Sequence, residues 1–352
     1  MTSRNLVIVF RSLMVYLLTM VFVSCEKVED PIDLTVNNLK GYFVVSEGDF
    51  YKNNGDITFF NPENLELHTN LYAATNQNDC GDIVQSFAIK DSLGFIVANN
   101  SGKIEIVSMV DFKSVKSIKN LSYPRCIVSN NNNELFVSNG NGFGSDCIYV
   151  INRATLSITD TIAVGKGPEK LLISGNYLYV ANSGAWSTDK TVSVINMQTK
   201  EVAKTITVGS VPIDMVKDKN GTIWVYCKGD VQTDWSFKNS MLYKINPSNF
   251  STSTIALNAI TTFGINNLAI DISGDNLYVI TNAVYKMPIT ATIFPTEKFI
   301  DNTFYGMDVD PANDNVIVLD GYGAEANVFS SAGVKLYTFK TAANPNAVVF
   351  SN

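Results

Sequence analysis

Tyr177-Leu178-Tyr179-Val180-Ala181-Asn182-Ser183-Gly184 is a strand that ends in a turn. Its aromatic and β-branched residues suit a pleated, half-buried surface. The Asn-Ser-Gly ending tolerates positive φ and stops the strand. The same phrase returns along the chain as GYFVVSEG from Gly41, GFIVANNSG from Gly94 and ELFVSNGNG from Glu134. It returns again as TIWVYCKG from Thr222, NLYVITN from Asn276 and NVIVLDGYG from Asn315. Aligning Phe43, Phe95, Phe136, Tyr179, Trp224, Tyr278 and Ile317 gives seven copies, spaced 52, 41, 43, 45, 54 and 39 residues apart.

Each copy has companions. A second strand follows it, as in KIEIVSM, CIYVINR and TVSVINM, and a third is visible in LSITDTIAV and EVAKTITV. Another strand precedes the next copy: SFAIKD, RCIVSNN, EKLLISG, IDMVKDK, LAIDISG and GMDVDPA. Four strands per repeat of about 40–45 residues is the period of a β-propeller blade. The expected fold is therefore all-β: a seven-bladed propeller with four antiparallel strands per blade. No sustained helical period follows residue 40. The first repeat lacks a leading strand, and Pro345-Asn346-Ala347-Val348-Val349-Phe350 at the other end reads as the missing one. Closure of the first blade by the C-terminal strand would remove free sheet edges.

Composition narrows the function. The 352 residues are 46% apolar and 17% charged, enough for a large core, and the net charge is −7. An acidic chain is a poor partner for nucleic acid, where Lys and Arg must neutralise phosphates. There is one histidine, His68, in the strand-like run Leu65-Glu66-Leu67-His68. A multi-histidine metal site is impossible, and His-dependent nucleophilic catalysis would have to use His68. It is expected to be a solvent-facing strand residue. Cys80, Cys126, Cys147 and Cys227 show no CxxC spacing, so zinc is poorly supported. Buried free thiols are the expected state, with one disulfide as the alternative in an exported chain. The run from Asp308 to Asn315, DVDPANDN, lacks the glycine and closing glutamate of a calcium loop and reads as a tight hairpin. No cofactor and no metal is expected.

The N-terminus carries an address. Arg4 and Arg11 accompany the apolar run LMVYLLTMVFV at residues 13–23, too short to span a bilayer and suited to a signal-peptide core. Phe22-Val23-Ser24-Cys25 then resembles a lipobox, with Phe22 where Leu is usual. Residues 1–24 are expected to be a lipoprotein signal peptide, with cleavage before Cys25 and acylation of that cysteine. Residues 25–40 would be the lipidated cysteine and a charged, Pro-containing tether, and residues 41–352 the propeller. The acidic residues Glu26, Glu29 and Asp30 resemble the surface-export signal of some Gram-negative lipoproteins. The expected address is the outer membrane, lipid-anchored and facing the exterior.

In a propeller the loops between second and third strands share one face with the loops that enter each blade. Those loops hold Phe50, Tyr51, Phe143, Trp186, Trp235 and Tyr322, where little core is at hand to bury a ring. A ring that buries 150–250 Å² gains roughly 4–6 kcal/mol gross, most of it offset by ordering on binding. The face suits a large ligand or a partner; packing among the loops is the competing use. Gly, Asn and Asp there serve turns first.

The phrases YVANSG, TVSVIN and VGKGPEK resemble the YVTN-type surface propellers. Together with the Cys25 start, GYFVVSEGDFYKNNGDITFFNPE, CGDIVQSF and NNSGKIEIV, the chain resembles the BtuG family of surface lipoproteins. That resemblance implies a protein that is not an enzyme. It would hold cobalamin or a related corrinoid on one propeller face and pass it to the outer-membrane TonB-dependent transporter BtuB. An amide-rimmed macrocycle would meet aromatic and polar groups, which Phe50, Tyr51, Asp82, Arg125, Trp186, Trp235 and Tyr322 supply by loop position. Cys80 before Gly81 departs from the commoner LGD. Two other readings stay open: an adhesin for glycans or proteins, to which exposed aromatics are equally suited, and a propeller lyase or lactonase using His68.

Overall fold

A computed structural model of the chain describes residues 39–234, 236–257 and 267–351. Residues 1–24, expected to be a signal peptide, Cys25, nearly all of the expected tether and Trp235 lie outside the described residues. No helix among the described residues is long and apolar enough to cross a membrane.

Tyr177–Asn182 is the second strand of a blade. Pro168–Ser174, Tyr177–Asn182, Thr191–Asn196 and Glu201–Thr207 form one antiparallel sheet in that order. The second strand is buried along almost its whole length, while the outermost shows one buried residue in seven. Seven antiparallel blade sheets follow one another along the chain, six of them four-stranded among the described residues. Their innermost strands are Pro345–Ser351, Val84–Lys90, Pro124–Ser129, Pro168–Ser174, Pro212–Lys217, Leu268–Ile270 and Gly306–Val309. Each touches the next in that order, and the last touches the first, so they form a ring around one axis. The C-terminal strand pairs with Gly41–Ser46, with Tyr42 opposite Phe350 and Val44 opposite Val348. The closure expected from the sequence is the closure observed.

The core lies between blades. Phe136, Ile148 and Val150 of the third blade pack with Leu171, Leu178 and Val180 of the fourth. Equivalent clusters join the fourth to the fifth, the fifth to the sixth, the sixth to the seventh and the seventh to the first. Phe43 of the first blade meets Phe87 and Phe112 of the second at 5.5 and 5.9 Å. No blade can bury its faces alone, which is why the repeats must close into a ring.

Three features depart from plain repetition. The sixth blade has three strands among the described residues, Leu268–Ile270, Asn276–Ile280 and Val284–Pro288. Pro295 removes a ladder donor where a fourth strand would run, and Phe294 covers that edge by packing on Tyr285 at 4.9 Å. The fifth blade carries an extra hairpin, Asp230–Val231 with Phe237–Lys238, between its second and third strands. A helix, Leu71–Asn76, precedes the second blade. It escapes a periodicity search because it is short and its first turn is capped from afar. The buried Asp56 carboxylate accepts the N–H groups of Tyr72 and Ala73 at 2.8 and 3.0 Å. Burial pushes Asp56 up to about 6, against the pull of these bonds and that from Ile57.

His68 ends the outermost strand Glu66–His68 of the first blade. It is half-buried rather than solvent-facing: strand alternation turns Leu67 outward and lays the imidazole on Phe59, 6.3 Å away, beside Glu66 at 2.9 Å. Cys80, Cys126, Cys147 and Cys227 are free thiols. The 308–315 run is a hairpin held by Asp310, which accepts the N–H of Ala312 at 2.8 Å and the Tyr42 hydroxyl at 2.7 Å.

Candidate ligand-binding face

The face that carries the blade-entry loops has an aromatic rim and a polar centre. Phe50, Tyr51, Phe143, Trp186 and Tyr322 are all more than half exposed, Tyr51 at 83% and Tyr322 fully. They are held rather than loose. Tyr51 has φ 63°, a left-handed backbone uncommon for an aromatic residue. Its N–H donates to both carboxylate oxygens of Asp82, at 3.1 and 3.0 Å. Asn100 donates to the same carboxylate at 2.5 Å, and the Asp82 N–H donates to the Ser101 hydroxyl. Asp82 is therefore buried under the rim, fixing Tyr51, whose ring lies 6.0 Å from that of Phe50.

Phe143 and Trp186 sit on two loops that grip each other. The Trp186 N–H donates to the Asn141 carbonyl at 3.3 Å. A Cβ on Gly142 would stand 2.1 Å from the Gly184 carbonyl oxygen, so only glycine permits this approach. Tyr322 stands on the turn after Asp320, which accepts its N–H at 3.0 Å. The sequence-selected residues thus fall into separate places. Phe50, Tyr51 and Asp82 form one unit, Trp186 pairs with the Phe143 loop, and Tyr322 stands on the seventh blade. Trp235 lies outside the described residues.

Arg125 belongs to the centre. Most inner strands begin with a bulge, between Val84 and Ser86, Pro124 and Ile127, Pro168 and Leu171, and Pro212 and Asp214. The extra residue lets neighbours such as Arg125 and Cys126, or Glu169 and Lys170, line the same axial cavity. Arg125 Nε donates to Glu169 Oε2 at 2.6 Å. Burial alone would lower the Arg125 pKa, but the charges of Glu169 and Glu47 raise it. Glu47 turns in from the first blade and accepts from Gln85 at 2.9 Å, Asn346 at 3.0 Å and the Tyr305 hydroxyl at 3.1 Å. Burial pushes the Glu47 carboxyl up, with the Asn346 and Tyr305 donors opposing.

Below lies a second pair, Lys170 with Asp214 at 3.1 Å, and Asp214 also accepts the Leu268 N–H at 2.8 Å. Asp308, beside them, is pushed up to about 6 by burial, against the Val309 N–H and the Lys170 charge. The cavity that Arg125, Glu169, Lys170 and Asp308 line measures about 200 Å³ and draws its lining from all seven inner strands.

Sequence reasoning found Arg125 and missed Glu47, Glu169, Lys228 and Tyr305 as its neighbours. One signal was available. The steps Pro124-Arg125, Pro168-Glu169, Pro212-Ile213 and Pro345-Asn346 recur at blade entry, and the residue after each proline faces the axis or its mouth. Glu47, Lys228 and Tyr305 come from loops with no such regularity.

Lys228 gives a test of this centre. Burial pulls its ammonium down to about 7, helped by Arg125 and opposed by Glu169. The unfolded chain keeps the proton up to the ordinary 10.5, so the folded chain binds fewer protons between about 7 and 10.5. Stability due to this group must then rise with pH across that window. Lys228→Met is expected to stabilise the protein at pH 7, with the gain fading by pH 10 in parallel denaturant titrations. An equal gain at both values contradicts this electrostatic picture.

The chain belongs to the family described as Domain of unknown function (DUF5074), whose model matches residues 40–351. No curated protein matches it in sequence. Solved propellers share its fold at low identity. A quinonprotein alcohol dehydrogenase-like protein from Bacteroides thetaiotaomicron is 15% identical with TM-score 0.67, over 89% of this chain and 78% of that one. A functionally unknown protein from Desulfotomaculum acetoxidans is 14% identical with TM-score 0.66, over 88% and 98%. The periplasmic gluconolactonase PpgL of Pseudomonas aeruginosa is 13% identical with TM-score 0.65, over 89% and 99%. At such identities the likeness concerns the fold alone.

Proposed function

We propose that this DUF5074 propeller is a lipid-anchored binding protein of the cell surface that captures a corrinoid such as cobalamin on its aromatic face. It would then release the ligand to an outer-membrane TonB-dependent transporter of the BtuB kind. Acylation at Cys25 and the short tether would keep it beside that partner. The observation that supports this reading is the rim itself, five exposed rings, four of them (Tyr51, Phe143, Trp186 and Tyr322) on backbones fixed by hydrogen bonds. Rings that stand apart around one face suit a ligand broad enough to touch several of them at once, which a macrocycle is. A macrocycle is far too large for an axial cavity of about 200 Å³, so it would lie across the rim. Holding rather than transforming is the better match, because Arg125 and Glu169 neutralise each other and His68 lies on an outermost strand.

The test is gel filtration of residues 31–352 with cyanocobalamin, whose colour reports comigration. Comigration at micromolar protein is expected, and Tyr51→Ala or Trp186→Ala should weaken binding by about tenfold or more each. Absence of comigration overturns the reading. Glycan binding in its place would make the protein an adhesin.

A further inference from the structure

The axial cavity of about 200 Å³ has room for about six waters, or for one molecule of about ten non-hydrogen atoms. Its titratable lining is Arg125, Cys126, Glu169, Lys170 and Asp308. Most of these are matched or neutral. Arg125 meets Glu169 at 2.6 Å, and Lys170 meets Asp214 at 3.1 Å. Burial pushes the Cys126 thiol up, so it stays uncharged. Asp308 is the exception. Its Oδ1 accepts the N–H of its own neighbour Val309 at 2.8 Å. Among the described residues no side chain hydrogen-bonds to this carboxylate and no cation forms an ion pair with it. Its Oδ2 keeps accessible surface, unlike the sealed Gln85 Oε1 and Ser86 hydroxyl, and the space beside it is the cavity.

An ionised carboxylate taken out of water costs free energy until a cation or donors reach it. Burial accordingly pushes Asp308 up to about 6, with the Val309 N–H and Lys170 opposing and Asp214 adding to the rise. The group is still mostly ionised at pH 7. The axis as a whole carries the same imbalance. Glu47, Glu169, Asp214 and Asp308 stand against Arg125, Lys170 and Lys228, and burial pulls Lys228 down to about 7. An anionic ligand would add to this excess. A metal ion would find a single carboxylate, since no group of three or more His, Cys, Asp or Glu side chains among the described residues could hold one. A primary ammonium brings one charge and three donors on a compact head. Its organic body would meet a wall that is largely aliphatic, with Ile127, Leu171, Ile213, Leu268, Met307 and Val348. We propose that the axial cavity is a binding site for a small primary ammonium, with the Asp308 carboxylate as its counter-ion and the aliphatic wall receiving its body. The site stands on its own lining and does not depend on what the aromatic rim binds.

Benzylammonium and benzyl alcohol are near-identical in shape and differ in charge, so they serve as probes. Saturation-transfer NMR and calorimetry on residues 31–352, which contain the compact unit of residues 33–352, read the outcome. At pH 7 benzylammonium is expected to bind with a Kd of about 1 mM or tighter, and benzyl alcohol at least about tenfold more weakly. Moving to pH 5 should weaken benzylammonium by about tenfold, the change in ionised fraction of a carboxyl at about 6. Ordinary surface carboxylates stay largely ionised over that range, so the loss separates this site from the acidic surface. Asp308→Asn keeps the shape and removes the charge. It should abolish both the preference for benzylammonium and its pH dependence. Its melting transition, the check on folding, should move up at pH 7, because a carboxyl held above the ordinary 3.8 costs stability where it is ionised. Should the variant lose its cooperative melt, the pH arm on the parent chain carries the test. Equal binding of the two probes overturns the proposal, as does a pH-independent affinity. A pH-dependent preference that survives in folded Asp308→Asn also overturns it and points to Glu47 instead. No saturation transfer from benzylammonium at about 10 mM overturns it too, and the cavity then holds water alone.

Discussion

Deleting residues 345–352 is expected to abolish cooperative folding. Pro345–Ser351 supplies the inner strand of the first blade and one of the seven members of the axial ring. Val348 is 5% exposed and packs with Tyr42, Val44, Ile317 and Leu319, and Phe350 meets Tyr42 edge-on at 5.5 Å. Two such apolar side chains contribute roughly 3–6 kcal/mol, a large share of the whole stability of a typical domain at about 5–15 kcal/mol. The deletion also removes the Asn346 donor from buried Glu47 and bares the edge of Gly41–Ser46. An exposed edge of that kind invites aggregation. A circular permutant separates closure from chain length. Gly41 and Ser351 are already paired, so a two-residue turn can join them, with new ends cut at the Asn220-Gly221 turn. That permutant should melt cooperatively within a few degrees of the parent, while the deletion shows no transition by circular dichroism. A folded deletion variant would refute strand closure as the source of stability.

The same contrast explains what could be read in advance. Strand phrases such as YVANSG repeat because every blade packs its second strand against two neighbours, and this constraint writes itself into each copy. The missing strand was legible because one repeat lacked what the others had. The rim aromatics were legible because large apolar rings in Gly- and Asn-rich loops have no local core. The helix Leu71–Asn76 was not, since its cap is Asp56 on a different element. Nor was the three-stranded sixth blade, where Pro295 and Phe294 replace a strand without erasing the repeat. The axial network was legible only in part. Arg125 stands in a recurring Pro-X step, but its neighbours converge from the first, fourth, fifth and seventh blades. That convergence is a property of the closed ring, and a single repeat carries no trace of it.

Arg125→Ala is expected to destabilise the protein by about 3–5 kcal/mol, because it leaves the Glu169 carboxylate buried without its main partner. The pair is 2.6 Å apart, with the Glu169 side chain 8% exposed. The loss should come from the orphaned charge more than from the missing bond. Replacing both partners by apolar residues of similar volume, Arg125→Met with Glu169→Leu, should therefore recover most of it. A double-mutant cycle by urea denaturation measures this directly, and a double variant as unstable as Arg125→Ala alone would show that the pair itself supplies the stability. The centre gives a second readout. Arg125 pulls Lys228 down by like charge. In Arg125→Ala the Lys228 ammonium should titrate higher, visible in the Cε–H resonance of labelled lysine. Glu47, Gln85, Arg125, Glu169, Lys228 and Tyr305 come from six blades, so this network ties together the loops that present the rim. If the rim binds by being held in place, the apolar double variant should fold well and still bind less tightly than the parent, because packing restores stability without restoring the directional bonds that fix those loops.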